Sequence, residues 1–113
     1  MSEQQEYSKF NENYDKFGVK LPLKVKVYKY AADDAEIPMY SRSVPVLVGE
    51  DSEGVLSIWV EHAFNTYEVE HNSTEVKKIS VIGTGQTRVK ENYKHIGSTI
   101  TKEGLVWHVY MEQ

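Results

Sequence analysis

From Leu23 to Tyr28 apolar and polar residues alternate, with Leu23, Val25 and Val27 on one side and Lys24, Lys26 and Tyr28 on the other. A period of two is what a half-buried β-strand requires. The alternation returns over Arg42–Val48, interrupted at Pro45. Proline cannot donate to a ladder, so this strand suits an edge or a bend. Over Val55–Phe64 two clean rows appear: Val55, Ser57, Trp59 and Glu61 against Leu56, Ile58, Val60 and His62. The intervening Glu50-Asp51-Ser52-Glu53-Gly54 is a turn, so 44–48 and 55–64 predict a β-hairpin. Further strands are predicted over Val76–Ile82, Tyr93–Thr101 and Leu105–Met111, the last two joined by Lys102-Glu103-Gly104. Residues 31–38 read as a short helical turn or loop, and Asn72–Glu75 as a loop. Tyr67–His71 extends the preceding strand or pairs separately.

The first residues follow a different period. Tyr7, Phe10, Tyr14 and Phe17 recur at the spacing of one helical stripe. Ser2 and Gln5 fit a capping box, and Gly18 sits where a C-cap belongs. Charged residues fill the other face. A lone helix of this length is marginal in water, so the aromatic stripe must dock on its own sheet or on another subunit. The expected fold is mainly β (α+β): a single compact antiparallel sheet of roughly six strands with an N-terminal amphipathic helix. Residues 1–18 form the docking or oligomerisation element, and 19–113 a single β domain.

A length of 113 residues suits one such domain. The formal charge of −4 argues against broad attraction to DNA or anionic membrane. An anionic ligand must therefore be held by a local cluster of cations. Cysteine is absent, which removes disulfides and thiolate metal sites. No apolar run approaches the roughly 20 residues of a membrane-spanning helix. The polar start does not resemble a signal peptide. The sequon Asn72-Ser73-Thr74 is then a chance match, and the expected location is the cytosol.

The chemistry-bearing positions say little for catalysis. There is no cysteine nucleophile, no Gly-x-Ser-x-Gly and no His-Glu-x-x-His. Of the four histidines, only His71-Asn72-Ser73 has the His-x-Ser spacing of a two-histidine phosphoesterase, and it has no second copy. Glu61-His62 and Glu68-x-Glu70-His71 would have to be bent to make a metal site, because adjacent strand residues face opposite ways. No catalytic residue, metal or cofactor is expected. Gly83-Thr84-Gly85 follows a strand, but no helical stripe comes after it, so it is not a phosphate loop of the helix-opening kind. It leaves a strand-end loop in which Thr84, Gln86, Arg88 and Lys90 lie close together, with Tyr93 opening the next strand. Tyr28 and Tyr30 share a strand face, and Trp59 stands mid-strand. Aromatic planes with Arg, Thr and Gln are what a nucleotide pocket needs. Equally, they are what an ordinary solvent face and aromatic core contain. His108, which shares a face with Val106 and Tyr110, is either a structural residue or a donor to a ligand.

Four stretches shift that balance: Val27-Tyr28-Lys29-Tyr30, Leu56-Ser57-Ile58-Trp59, Val81-Ile82-Gly83-Thr84-Gly85, and Tyr93-Lys94-His95-Ile96-Gly97-Ser98 followed by Gly104-Leu105-Val106-Trp107-His108-Val109-Tyr110. In this order they resemble a widespread family of small phage proteins whose pattern runs I-Y-K-Y, a Val-Pro strand, an L-x-L-W strand, I-x-G-T-G-H, Y-I-G-T and a closing L-V-F-H-V-F. The likeness covers residues 25–112. Gln86 replaces the family's usual histidine, which puts a contact made by that histidine in doubt, and the N-terminal aromatic segment is extra. The family is similar to phage immune-evasion sponge proteins. That implies a homo-oligomer, a dimer or tetramer, in the host bacterial cytoplasm. It would bind cyclic dinucleotide signals of bacterial CBASS defence without cleaving them. Arg88, Thr84 and the Gly85 N–H would then hold phosphate, and Tyr28, Tyr30 or Trp59 would stack on bases. Gln86 and His108 would supply further polar contacts. The competing expectations are a protein–protein inhibitor of a host factor and a cyclic-nucleotide phosphodiesterase.

Overall fold

The computed structural model describes residues 14–33, 35–87 and 91–113. Seven strands and one short helix follow in the order β1 (Lys24–Ala31), β2 (Glu36–Met39), β3 (Val44–Glu50), β4 (Leu56–Phe64), α1 (Thr66–Glu70), β5 (Glu75–Gly83), β6 (Tyr93–Ile100) and β7 (Val106–Glu112). The chain is mainly β, as its alternation predicts. It makes two antiparallel sheets, however, not one: β1-β4-β3 and β2-β5-β7-β6.

The split occurs at residues 31–36, expected as a helical turn or loop. Ala32 donates its N–H to the Leu56 carbonyl of the first sheet (2.8 Å), and Ala35 accepts from Ile79 of the second (3.0 Å). Within four residues the chain has changed sheets. The strand that follows, Glu-Ile-Pro-Met, buries Ile37 and Met39 and exposes Glu36 and Pro38. Pro38 is tolerated because β2 is an edge strand. One sheet would have left every apolar row facing water; two sheets cover each other.

The core confirms this arrangement. Ile58 and Val60 of β4 face Ile37, Met39, Val109 and Met111 of the second sheet, with Val48, Ile79, Val81 and Ile96 packed around them. Val109 pairs with Val81 on one side and Gly97 on the other, so the row crosses three strands in register. The two sheets approach most closely where β3 meets β6. A Cβ built on Gly97 would lie 2.7 Å from Cγ2 and 2.9 Å from Cβ of Val48. A second tie joins the hairpin ends, where Glu50 accepts a hydrogen bond from the Lys102 N–H (2.7 Å).

The β3–β4 turn is held by one carboxylate. Asp51 accepts from the N–H groups of Glu53 and Val55, each at 2.9 Å, and from Lys29 Nζ at 2.8 Å. The Lys29 hydrogen bond, with those backbone donors, holds its pKa at about 2. The turn is thereby pinned to β1.

Two expectations about helices are corrected. The end of the proposed N-terminal helix is a turn: Tyr14 bridges Lys20, and Asp15 accepts from the Phe17 and Val19 N–H groups. An aspartate that closes its own backbone in this way competes with helix. Phe17 is 79% exposed, and its ring meets Lys16 Nζ at 5.1 Å from the centroid instead of docking on a sheet. The remainder of that predicted helix lies outside the described residues. The helix that is present, α1, forms where a strand extension or separate strand was expected. Asn65 accepts from the Glu68 N–H (2.9 Å) while Glu68 accepts from the Asn65 N–H (3.1 Å), a reciprocal capping box. No helix of the described residues is long and apolar enough to cross a membrane.

Gly97→Ala should lower stability by about 1–3 kcal/mol through overpacking, because the clash is with the branch point of Val48 and not with a flexible tip. A thermal melt checks this, and adding Val48→Ala should recover part of the loss.

Candidate functional site

At the end of β5 the Gly83–Gln86 turn is closed by the Gln86 N–H donating to the Gly83 carbonyl (3.0 Å). The Gln86 side chain folds back, and its Oε1 accepts from the Gly83 N–H (2.6 Å). Gly85 takes φ +90°, which is why glycine is needed there. The Gln86 N–H and side-chain oxygen are thus tied to Gly83, which leaves the exposed amide NH2 as the outward group of Gln86. Arg88 lies outside the described residues.

Thr84 and His108 do meet. Ile82 of β5 and Ser98 of β6 are both register partners of His108, so one row across three strands carries the polar groups. Thr84 Oγ1 is 3.0 Å from His108 Nε2, Ser98 Oγ is 2.7 Å from His108 Nδ1, and His95 Nε2 is 2.8 Å from the same Ser98 oxygen. The Ser98 hydroxyl has one proton, so with neutral rings it donates to one imidazole and accepts from the other. The four groups form a one-way relay that fixes both rings on the outer face of the second sheet. Tyr110 packs edge-on against His95 at 5.3 Å between ring centroids. No carboxylate orients either ring in the hydrogen bonds described. Among the described residues no group of three His, Asp or Glu is placed to hold a metal ion. Ser98 and His95 are not among the site residues expected from the sequence, although both lie in the Tyr93–Ser98 stretch of the resemblance.

The aromatic candidates belong to the other sheet and to both its faces. Tyr28 and Tyr30 pair with Val60 and Ile58, which places them on the inner side of β1. Trp59 pairs with Lys29 and Leu47 on the opposite side of β4. A strand alternates its side chains, so Trp59 cannot join the two tyrosines within one chain. Tyr30 is already engaged: its hydroxyl lies 2.8 Å from His62 Nε2, and Ser43 Oγ lies 2.7 Å from His62 Nδ1. Tyr40 stacks on Phe64 and meets His62 edge-on. Burial holds the His62 pKa below its ordinary value and raises that of Tyr30. Nearby, Arg42 pairs with Glu68, joining the β2–β3 turn to the capping box of α1.

Beside this cluster a cleft of about 750 Å³ opens between the sheets, from the β2–β3 turn to the ends of β5, β6 and β7. Met39, Ile96 and Met111 give it an apolar floor, and Ser41, Ser43 and Thr74 bring hydroxyl groups. Two lysines complete it. Lys94 is the register partner of Met111, and Lys77 is two residues before Ile79, which pairs with Met111 from the other side. Both lysines therefore lie on the inner face, flanking the end of β7. Lys77 Nζ contacts Glu75 at 3.1 Å, while Lys94 makes no ion pair with a described residue. None of Tyr28, Tyr30, Trp59, Thr84, Gly85, Gln86 or His108 lines this cleft. Nothing in the sequence marks Lys77, since a lysine in an alternating strand is ordinarily a solvent residue.

The chain is thus a two-sheet β domain with an open cleft at one end, lined by Lys77 and Lys94 and also by Glu75 and Glu112. Residues 16–113 match the family model described as Domain of unknown function (DUF7352), and the chain belongs to that family. The match begins after Tyr7 and Phe10, so the extra aromatic segment is largely outside it. No curated protein and no solved structure matches the chain.

His62 gives a pH signature. A histidine kept neutral by burial has a folded pKa below the unfolded value of about 6.5, so the unfolded chain binds more protons below that pH. Its contribution is intact above about pH 6.5 and is lost as pH falls towards the depressed folded value. Unfolding midpoints measured from pH 7.5 to 5.5 should fall in the wild type and fall less in His62→Gln.

Proposed function

We propose that this protein is a phage immune-evasion factor that binds a cyclic dinucleotide signal of bacterial CBASS defence and holds it uncleaved. The observation that carries the reading is the inter-sheet cleft. Its volume lies within the ~300–1,000 Å³ of small-molecule sites, and its floor is apolar. Bases would lie on Met39, Ile96 and Met111, and phosphate oxygens would take charge-assisted hydrogen bonds from Lys77 and Lys94. The hydroxyls of Ser41 and Thr74 would add neutral donors. Holding without cleavage is part of the reading, and it is tested against the groups that could cleave: His95 and Glu75 line the cleft, and Ser43 Oγ meets His62 Nδ1. This moves the ligand from the Gly-Thr-Gly turn, where Gln86 is tied to Gly83, to the end of the sheets. An assembly of two or four copies in the host cytoplasm is part of the same proposal.

Isothermal calorimetry with a panel of cyclic di- and trinucleotides tests the reading, followed by heat denaturation and recovery of the ligand. Stoichiometric binding and intact ligand are expected. Absence of binding across the panel would sink it and return the host-protein inhibitor, whereas a cleaved product would mean a phosphodiesterase. Lys77→Ala combined with Lys94→Ala should weaken binding about 100-fold, from one charge-assisted contact of about 1.5 kcal/mol lost at each site. The melting temperature should stay nearly unchanged, since neither ammonium supports the core.

A further inference from the structure

We propose that two copies of this chain join through the free edge of β1, in antiparallel register about a two-fold axis at Val27. Among the described residues β1 pairs on one side only, with β4, so its outer row of backbone N–H and C=O groups has no strand partner. An unpaired edge of this length is a template for another strand. Its side chains are bare: Val25 is 58%, Val27 52% and Tyr28 47% exposed, and Leu23 just before it 48%. Each is an apolar or aromatic residue that water gains nothing by touching.

Charge selects the occupant and the register. With Val27 opposite its own copy, Lys26 faces the partner's Tyr28, Lys24 faces the partner's Tyr30, and Val25 faces the partner's Lys29. No lysine meets a lysine, and the tyrosine rings receive the ammonium groups as cation–π partners. Moving the axis to residue 26 or 29 sets a lysine against itself, which like-charge repulsion disfavours, and moving it to residue 28 halves the lysine–tyrosine pairs by setting Lys24 against Ala32. The strand is therefore complementary to itself. The pairing makes a continuous six-stranded sheet, β3-β4-β1 followed by its two-fold copy, and brings the two Val27 side chains together. This inference gives the assembly in the nucleotide reading an interface, away from the cleft; its test needs no ligand, and a monomer that still binds a cyclic nucleotide would overturn the interface and leave the binding reading standing.

The chain contains no cysteine, so an introduced one reports alone. Directly opposed residues in an antiparallel pair have Cα atoms about 4.5–5.5 Å apart, within disulfide range. The full-length Val27→Cys protein should give a covalent dimer under mild oxidation. Val69→Cys, on α1 with 51% exposure at that position in the native chain, should not. Native mass spectrometry and sedimentation should show a dimer for the wild type, and Val27→Lys should weaken it at least tenfold while the melting curve remains cooperative. A monomer at every concentration overturns the proposal. So does equal cross-linking at positions 27 and 69, or a dimer that Val27→Lys leaves intact.

Discussion

Two rows of aliphatic side chains that must cover each other control this structure. Ile58 and Val60 lie on one sheet, Ile37, Val109 and Met111 on the other, and neither row has another place to go. A chain of this size has a small core, so loss of one interdigitated layer is a large fraction of its stability. The change of sheet at residues 31–36 exists to bring these rows face to face, and Gly97 exists where the approach is tightest. A methyl group at that position would hold β6 away from Val48 and open the seam between the sheets.

The same packing creates the candidate site. Where the aliphatic rows run out, at the ends of β5 and β7, the sheets stay apart and the gap is lined by polar and cationic groups. His62 marks the boundary on the first sheet. It continues the buried row of Ile58 and Val60, yet both ring nitrogens find hydroxyl partners in Tyr30 and Ser43, as a buried imidazole requires. Lys77 and Lys94 mark it on the second sheet, continuing inner-face rows past Ile79 and beside Met111. Cleft and core are thus one surface whose chemistry changes along the strands.

The outer faces carry the remaining side chains. On the second sheet, Thr84, His108, Ser98 and His95 are joined in one hydrogen-bonded row. On the first, Val25, Val27, Val44 and Leu47 are each more than half exposed. Ile100 (69%) and Val76 (51%) on the second sheet's outer face are bare as well, so both outer faces leave apolar surface open, and β1 lies along the unpaired border of the first.

Most strand positions, the β3–β4 hairpin, the division of β4 and β7 into two alternating rows, and the closeness of Thr84 to the strand that ends at Gly83 were all legible from local pattern, though not which row is buried. Alternation, turn residues and ring spacing act over a few residues, and tertiary contacts did not override them there. Four things were not legible: the second sheet, the short strand Glu36–Met39, the capping box that makes Thr66–Glu70 helical, and the row joining His108 to Ser98. The opposed faces of Trp59 and Tyr28 follow from alternation once the pairing is known, but their grouping in a pocket required a fold. Lys77 and Lys94, 17 residues apart in sequence, come to flank one strand only through the β5–β7–β6 order. Local periodicity sets which side of its own strand a residue occupies. Which strands lie beside and across from it depends on long-range burial, and a cleft is a property of that arrangement.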